Sequence, residues 1–156
     1  METFAPAPAC RHSRIRFDTS HPTEFIDLTD TLTGIVADTG LRDGLVNVQS
    51  LHTTTAILVN EHEPLLLTDF GALLDRLIPQ RADYRHDDPA ERTVNVSPGE
   101  RPNGHAHCRA LLLSPSASLN VVEGRLQLGR WQRVFLVEMD GPRSREVSVM
   151  VLGIGA

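Results

Sequence analysis

Histidine side chains are the most versatile reactive groups in this chain, because imidazole can act as a general base, a general acid or a metal ligand. The 156 residues include seven histidines, and five of them lie between His52 and His107. His105 and His107 would share one face of a strand, whereas on a helix they would point about 200° apart. Asn103 is a typical helix N-cap residue, so we predict a helix here. We favour His107 as the functional ring that faces the core, since it shares a helical face with Leu111.

Three further features could contribute polar groups to a site. Segment 84–88 places an imidazole, two carboxylates and a guanidinium in one predicted loop, although an acidic solvated loop is the simpler interpretation. Asp69 lies in a leucine-rich segment and is either an exposed residue or a carboxylate directed at a metal. Segment 140–143 predicts a β-turn, and Arg143 could bind phosphate or carboxylate there in a bidentate manner.

The composition excludes several classes of chemistry and partner. All 15 basic residues are Arg, and the absence of Lys excludes Schiff bases, a phosphate-loop lysine and a lysine general base. A net charge of −5 argues against a nucleic-acid-binding surface. Cys10 and Cys108 are too few for a disulfide framework, and the apolar runs are far shorter than the roughly 20 residues that span a bilayer. We therefore expect a cytoplasmic protein with neither nucleic acid nor membrane as a partner.

Hydrophobic periodicity predicts three helices that would hold these residues. The first spans 29–39, with the Thr29 side chain as its cap and Gly40 as its left-handed stop. The second begins at Pro64 and carries an apolar, leucine-rich face. The third begins at Asn103 and ends before a proline.

Strands are predicted for much of the remaining chain. Alternating apolar and polar side chains predict a first strand from residue 11, after a flexible lead-in over 1–10. Segment 44–60 would span about 56 Å as one straight strand, which is too long for a domain of this size. We therefore predict that it bends or breaks near 51–54.

Further strands are predicted on both sides of the third helix. Short strands are indicated at 25–28 and 93–96. The C-terminal part predicts an antiparallel meander of four strands, over 119–122, 125–128, 134–139 and 146–152. The single tryptophan, Trp131, is predicted to have a packing role. The chain length suits one domain of ordinary size.

Segment 116–134 follows the signature of the YjbQ-like family of small bacterial and archaeal proteins at every anchored position except Arg130, where that family usually has Thr. Further matches occur in order along the chain: His52-Thr53-Thr54, Asn60-Glu61, Asp69, His86, Asn103 followed by His107, and Asp140-Gly141-Pro142-Arg143. The sequence therefore resembles this family over nearly the whole chain after Arg11. The other four histidines fall at positions that the pattern does not fix.

The resemblance implies an α+β fold with mixed or antiparallel β-sheets in a sandwich-like arrangement, about three helices and a single domain over 11–156. It also implies a homotrimer with a polar pocket near the subunit interfaces. A trimer would let His52 and Asn60 share a site, although one straight strand would hold them about 26 Å apart. The implied activity is a weak thiamine-phosphate synthase, which joins a pyrimidine pyrophosphate to a thiazole phosphate.

The same resemblance, together with the residue chemistry, assigns candidate roles. Catalysis is assigned to His107, Glu61 and His52. Substrate binding is assigned to Thr53, Thr54, Asn60, Asn103, Gln132 and Arg143. Without lysine, the charge of a phosphorylated substrate must be neutralised by Arg143, Arg130, backbone N–H groups at the helix start or a metal ion.

The sequence leaves two metal sites open. A divalent ion held by Glu61 or Asp69 would be Mg²⁺ beside a leaving diphosphate. If His52, His86 and His107 converge instead, three neutral imidazoles would favour zinc and a metal-activated water, which is hydrolase chemistry. A metal-dependent hydrolase and a non-catalytic metal-binding or ligand-binding trimer are therefore the alternatives to the synthase.

Overall fold

The structure is a computed structural model that describes residues 8–155. Its elements are β1 (Pro8–Asp18), β2 (Glu24–Asp27), α1 (Thr29–Thr39), β3 (Leu41–Ser50), β4 (Thr55–Glu61), α2 (Pro64–Leu77), a short 3-10 helix (Arg85–Asp87), α3 (Gly104–Leu112), β5 (Ser116–Val122), β6 (Arg125–Leu126), β7 (Gln132–Glu138) and β8 (Ser144–Gly155). Residues 1–7 of the predicted lead-in lie outside the described residues. Residues 8–10 differ from that prediction, since they belong to β1 and pair with β8.

The strands form two antiparallel sheets that share one core. The five-stranded sheet has the order β1-β8-β3-β5-β6, and the three-stranded sheet has the order β2-β7-β4. Buried side chains of the first sheet, such as Val48 and Val149, lie in the same apolar cluster as Leu136 of the second sheet and Leu32 of α1. The predicted α+β fold with three helices and antiparallel sheets is confirmed.

The predicted C-terminal meander is wrong beyond its first hairpin. β5 pairs with β6, but β7 lies in the centre of the three-stranded sheet, and β8 lies between β1 and β3. The physical reason is the continuous apolar run from Val134 to Val137, in which all four residues are fully buried. A strand buried on both faces belongs in the middle of a sheet, whereas a meander strand alternates.

The predicted break near 51–54 is confirmed, and it is the place where the chain leaves one sheet for the other. β3 ends at Ser50 in the five-stranded sheet, and β4 begins at Thr55 in the three-stranded sheet. The hydroxyls of Ser50 and Thr55 form a hydrogen bond across this corner. The corner presents His52, Thr53 and Thr54 together at one end of both sheets. Segment 93–96, predicted as a strand, is an irregular exposed loop without a strand partner.

α1 has the predicted boundaries and α2 begins at the predicted residue, but the cap of α1 differs. Gly40 ends α1 with a φ of 66°, as expected for a left-handed stop. The Thr29 hydroxyl does not cap the helix, because it accepts a hydrogen bond of 2.8 Å from the backbone N–H of Val134. α2 begins at Pro64, and the described helices include none long and apolar enough to cross a bilayer.

The predicted inner face of α3 is wrong. His105 and Arg109 are buried in this helix together with Gly104 and Ala106, at 4% and 1% exposure, while Leu111 is 84% exposed. Arg109 is tolerated inside because its guanidinium donates to the backbone oxygen of Ile78 and to Asp75. The packing role predicted for Trp131 is also wrong, since its side chain is 61% exposed.

Candidate functional site

One open cavity collects most of the sequence-predicted site residues, at the end of the sheets where the corner 51–54 meets the start of α3. Its volume is about 460 Å³. We call it the His–Arg pocket, and it is lined by Leu51, His52, Thr53, Thr54, His86, Arg92, Asn95, Glu100, Asn103, His107, Asp140, Arg143 and Arg145. The structure therefore brings together His52, His86 and His107, which lie far apart in the sequence.

His52 is held as a neutral ring with a defined tautomer. Its Nε2 accepts a hydrogen bond of 2.7 Å from the backbone N–H of Glu146. Burial, reinforced by the charge of Arg145, lowers the pKa of His52 below its ordinary value. Because Nε2 is an acceptor, the proton of the neutral ring lies on Nδ1. His52 is thus suited to donate a hydrogen bond from Nδ1, and its Nε2 is not available as a base or a metal ligand.

His107 lies beside His86 in the pocket wall, in surroundings that favour a neutral ring. Burial and then the neighbouring His86 and Arg92 lower the pKa of His107, so the ring is neutral near pH 7. Its centroid lies 4.6 Å from that of His86, with the rings steeply inclined. His107 lines the pocket rather than the core, and the helical face predicted for it is wrong.

The loop that carries His86 is fastened to the start of α3. The Asp87 Oδ1 atom accepts hydrogen bonds of 2.8 Å from the backbone N–H groups of Asn103 and Gly104. Gly104 permits this approach, since a Cβ there would lie 2.5 Å from the Cβ of Tyr84. The side chain of Asn103 does not cap the helix. Asp87 occupies the helix start, which is therefore not the open anion site that the sequence suggested.

Three arginines, each with a carboxylate partner, line one wall of the pocket, although the chain as a whole has a net charge of −5. Arg92 contacts Glu100 at 3.1 Å, and Arg143 contacts Asp140 at 2.8 Å. Arg145 pairs in the same way with the buried Glu138, so each guanidinium group has one carboxylate partner and carries further N–H groups. Guanidinium groups bind phosphate oxygens in bidentate fashion, and a phosphate is the kind of anion that this wall suits.

Arg145 is the most rigidly held of the three. Its Nε and Nη2 atoms each donate to the Glu138 carboxylate at 2.6 Å, and Nη2 also donates to the Thr54 hydroxyl at 3.0 Å. Glu138 is completely buried. Although burial raises the pKa of Glu138, hydrogen bonds from Arg145 and from the backbone of Asp140 lower it overall, so the carboxylate is ionised.

Neither Glu138 nor Arg145 was recognised from the sequence. A signal was present, because Glu138 directly follows the apolar run of β7, where a carboxylate needs a buried partner. The Glu138 Oε1 atom also accepts from the backbone N–H groups of Met139 and Asp140, at 2.9 and 2.8 Å. The pair therefore orients the corner at Thr54 and the turn at Asp140 at the same time.

The remaining candidates, apart from Asp69, lie at the opposite end of the three-stranded sheet. Asn60, Glu61 and Gln132 line a second cavity of about 410 Å³, which we call the far-end groove, with Val59, Gly129, Arg130 and Trp131. Thr55 pairs with Glu138 at one end of β4, and Glu61 pairs with Gln132 at the other. Six residues of strand separate the two cavities by about 20 Å. One chain alone does not bring these two sets together.

The proposed metal sets do not assemble within one chain. Asp69 is exposed on α2 and lines neither cavity. Across residues 8–155, no group of three or more His, Cys, Asp or Glu side chains is arranged to hold a metal ion. The Nε2 atom of His52 is already used by a backbone N–H group. His52, His86 and His107 therefore do not form the predicted zinc site within one chain, and neither Glu61 nor Asp69 lines the cavity that holds these histidines.

Comparison with known proteins gives consistent matches. The family model described as "UPF0047 protein YjbQ-like" matches residues 13–154. A UPF0047 protein of Methanothermobacter thermautotrophicus is 38% identical over 135 residues, which cover 86% of this chain and 87% of that protein. A UPF0047 protein of Archaeoglobus fulgidus is 40% identical over 134 residues, covering 86% and 95%. The crystal structure of a YbjQ-like protein of unknown function from Sulfolobus solfataricus is similar with a TM-score of 0.84 and 31% identity, covering 94% of this chain and 99% of that one.

Proposed function

The chain belongs to the YjbQ-like UPF0047 family, and from that premise we propose that it is a cytoplasmic enzyme that acts on a phosphorylated small molecule in the His–Arg pocket. The specific activity we propose is thiamine-phosphate synthesis from a pyrimidine pyrophosphate and a thiazole phosphate. The observation that carries the proposal is the convergence of Arg92, Arg143 and Arg145 on one cavity of an acidic chain.

The residues of the pocket suit the departure of a diphosphate group. In this reaction the diphosphate leaves with the electrons of its C–O bond, and the thiazole nitrogen supplies the electron pair of the new C–N bond. Guanidinium groups stabilise the leaving charge without losing a proton. The Nδ1–H of His52 adds a neutral donor, and Glu138 fixes the direction of Arg145.

Magnesium is expected to enter this pocket with the diphosphate. Mg²⁺ in proteins is commonly bound by one or two carboxylates together with substrate phosphates and water. Glu100 and Asp140 are the carboxylates that line the pocket. They replace Glu61 and Asp69 as the residues that we propose to lie beside the metal.

A homotrimer is part of the proposal. The outer face of the five-stranded sheet exposes Leu45, Met150 and Leu152 at 49%, 38% and 46%, and Leu45 is the register partner of Leu152. Contiguous apolar side chains of this kind are typical of a protein interface. Closed assembly would allow the far-end groove of one subunit to complete the His–Arg pocket of its neighbour.

Product formation tests the proposal. Both precursors are incubated with Mg²⁺ and wild-type protein, His107→Ala or Glu61→Gln, with His21→Gln as a control at an exposed histidine outside both cavities. We expect wild type and the control to form product at the same rate, and the other two to be at least about tenfold slower, because both side chains would position substrate in the assembled trimer. Equal rates for all four proteins would reject the enzymatic role of these residues.

A measurement of pyrophosphate binding distinguishes an enzyme from a non-catalytic ligand-binding module. If wild type forms no product but binds inorganic pyrophosphate, and Arg143→Ala weakens that binding, the pocket is a ligand-binding site without turnover. Absence of both product and pyrophosphate binding would reject the proposed function entirely.

A further inference from the structure

We infer that the ligand of the His–Arg pocket carries a hydroxyl or amino hydrogen-bond donor on its organic part, and that Asn103 selects for this donor. This inference rests on the proposed function, because it assumes that the same pocket binds the phosphate. Its basis is a pair of buried polar atoms in the pocket wall, Asn103 Oδ1 and His86 Nε2, which have no hydrogen-bond partner in the part of the chain that the structure describes.

The orientation of the Asn103 amide is fixed by its neighbour. Asn103 is only 4% exposed, and its Nδ2 donates to Asp140 Oδ2 at 3.1 Å. Turning the amide over would place its oxygen against a carboxylate oxygen, so two acceptors would face each other. Asp140 therefore keeps Oδ1 directed away from itself, as an acceptor without a donor.

A phosphate group does not satisfy this acceptor. Phosphate oxygens near neutral pH are predominantly acceptors, and the three arginines already supply the donors that they need. Asn103 Oδ1 requires an N–H or O–H group. The matching group must come from another part of the same ligand, which makes Asn103 a specificity-determining residue rather than a phosphate ligand.

His86 adds a second polar atom that suits the same chemistry. Its ring lies against His107, and the loop that holds it is fastened to α3 through Asp87. An imidazole nitrogen can accept or donate according to its tautomer, so His86 Nε2 is compatible with a hydroxyl, which does both, or with an amino group. Two such atoms in one wall favour a polar organic group over an apolar one.

Matched pairs of phosphate esters test the inference by calorimetric titration. The hydroxyl pair is glycerol 3-phosphate and propyl phosphate, and the amino pair is 4-aminobenzyl phosphate and benzyl phosphate. We expect wild type to bind the donor-bearing member of at least one pair about tenfold more tightly, the factor for one hydrogen bond to a buried group. The pair that shows the preference identifies the donor as a hydroxyl or an amino group.

Two variants, each of which lacks one of the two unpartnered polar atoms, show which atom causes the preference for the donor-bearing ester. Asn103→Ala should reduce the affinity ratio within the pair to below about twofold, and His86→Phe, which keeps a ring but removes the nitrogens, should reduce it partly. His21→Gln is the control and should keep the full ratio. The affinity ratio is measured because general damage to the pocket would weaken the binding of both esters alike. The comparison of esters on the wild-type protein remains valid even if one variant does not fold.

The outcomes distinguish this inference from the function on which it rests. Equal affinity of wild type for both members of both pairs would overturn the inference and leave phosphate binding intact. A preference that persists in Asn103→Ala would overturn the role of Asn103. Failure of wild type to bind any of the four esters would overturn the inference and the proposed phosphate site together.

Discussion

The two cavities lie at opposite ends of β4 and β7, and they differ in how their side chains are held. In the His–Arg pocket, Glu138 and Arg145 are buried and bind each other, and they also bind the hydroxyls of Thr19 and Thr54, which lie 119 and 91 residues away along the chain. In the far-end groove, Gln132 is exposed and accepts from Gly129 N–H, three residues away, while Asn60 accepts from the adjacent Glu61 N–H. One end is organised by long-range contacts and the other by local ones.

The difference indicates which cavity is ready to bind a ligand. Side chains fixed by buried partners lose little freedom on binding, so the His–Arg pocket is preorganised within a single chain. The side chains of the far-end groove keep that freedom, and a neighbouring surface could order them. Substitutions at the two ends should therefore behave differently.

Changing Glu to Gln at each end gives the largest expected contrast. Glu138→Gln leaves the buried Arg145 guanidinium without its counter-ion, so we expect the free energy of unfolding to fall by about 3 kcal/mol or more. Glu61→Gln should change it by less than about 0.5 kcal/mol. Urea denaturation of both variants measures the difference, and equal stabilities would refute the contrast.

Mixed oligomers test whether the groove serves a neighbour. His107→Ala and Glu61→Gln subunits should each lose at least about tenfold in product formation, because each removes a side chain that would position substrate. Co-expressed and purified as mixed trimers, they should regain part of the activity, because some interfaces then combine an intact pocket with an intact groove. Mixtures as inactive as their parents would show that the two cavities do not act together.

Arginine substitutions compare anion binding at the two ends. Arg143→Ala should weaken the binding of inorganic pyrophosphate by about tenfold, because it removes a guanidinium from the pocket wall. Arg130→Ala should have an effect of about twofold or less, since the Arg130 guanidinium lies over the exposed Trp131 ring, 4.7 Å from its centroid. Calorimetric titration measures both, and the reverse order would place the anion site in the far-end groove.

The smallest expected effect is a dependence of stability on pH to which the His–Arg pocket should contribute and the far-end groove should not. The pKa of His52 is lowered from 6.5 by burial and then by Arg145, so the unfolded chain binds protons that the folded chain rejects. Stability is therefore fully present above about pH 6.5 and declines as the pH falls below it.

Urea denaturation at about pH 7.5 and pH 5.5 measures this decline. His52→Gln keeps an acceptor for the Glu146 N–H but removes the titrating group, so it should reduce the decline. The burial-lowered pKa values of His105 and His107 would leave the remainder. Gln132→Ala in the far-end groove is the matched control and should retain the wild-type decline. An unchanged decline in His52→Gln would contradict the assignment.

Local structure was predictable because its causes are local. Gly40 ends α1 and Pro64 begins α2 through backbone constraints that the sequence displays directly. The length of segment 44–60 alone required the break that forms the corner of the pocket. The resemblance to the family located His52, Asn103, His107 and Arg143, which the structure then gathers in one cavity.

The features that were missed depend on partners distant in the sequence. Arg145 is buried because Glu138 and Thr54 satisfy it, and Thr54 lies 91 residues away along the chain. The same holds for Arg109 on α3, whose burial requires the carbonyl of Ile78. Hydrophobic periodicity assigns such residues to the surface, because it considers only whether each side chain is polar. It contains no information about a distant hydrogen-bond partner that would allow burial.

The attachment of Asp87 to the start of α3 allows ligand binding in the pocket to be followed by hydrogen exchange. The amide protons of Asn103 and Gly104 are protected from exchange with solvent only while the Asp87 carboxylate accepts them. Deuterium uptake at these two amides would therefore measure how often the loop that carries His86 detaches. A ligand that bridges the loop and the helix would slow that uptake, so occupancy of the pocket could be followed before any substrate is identified.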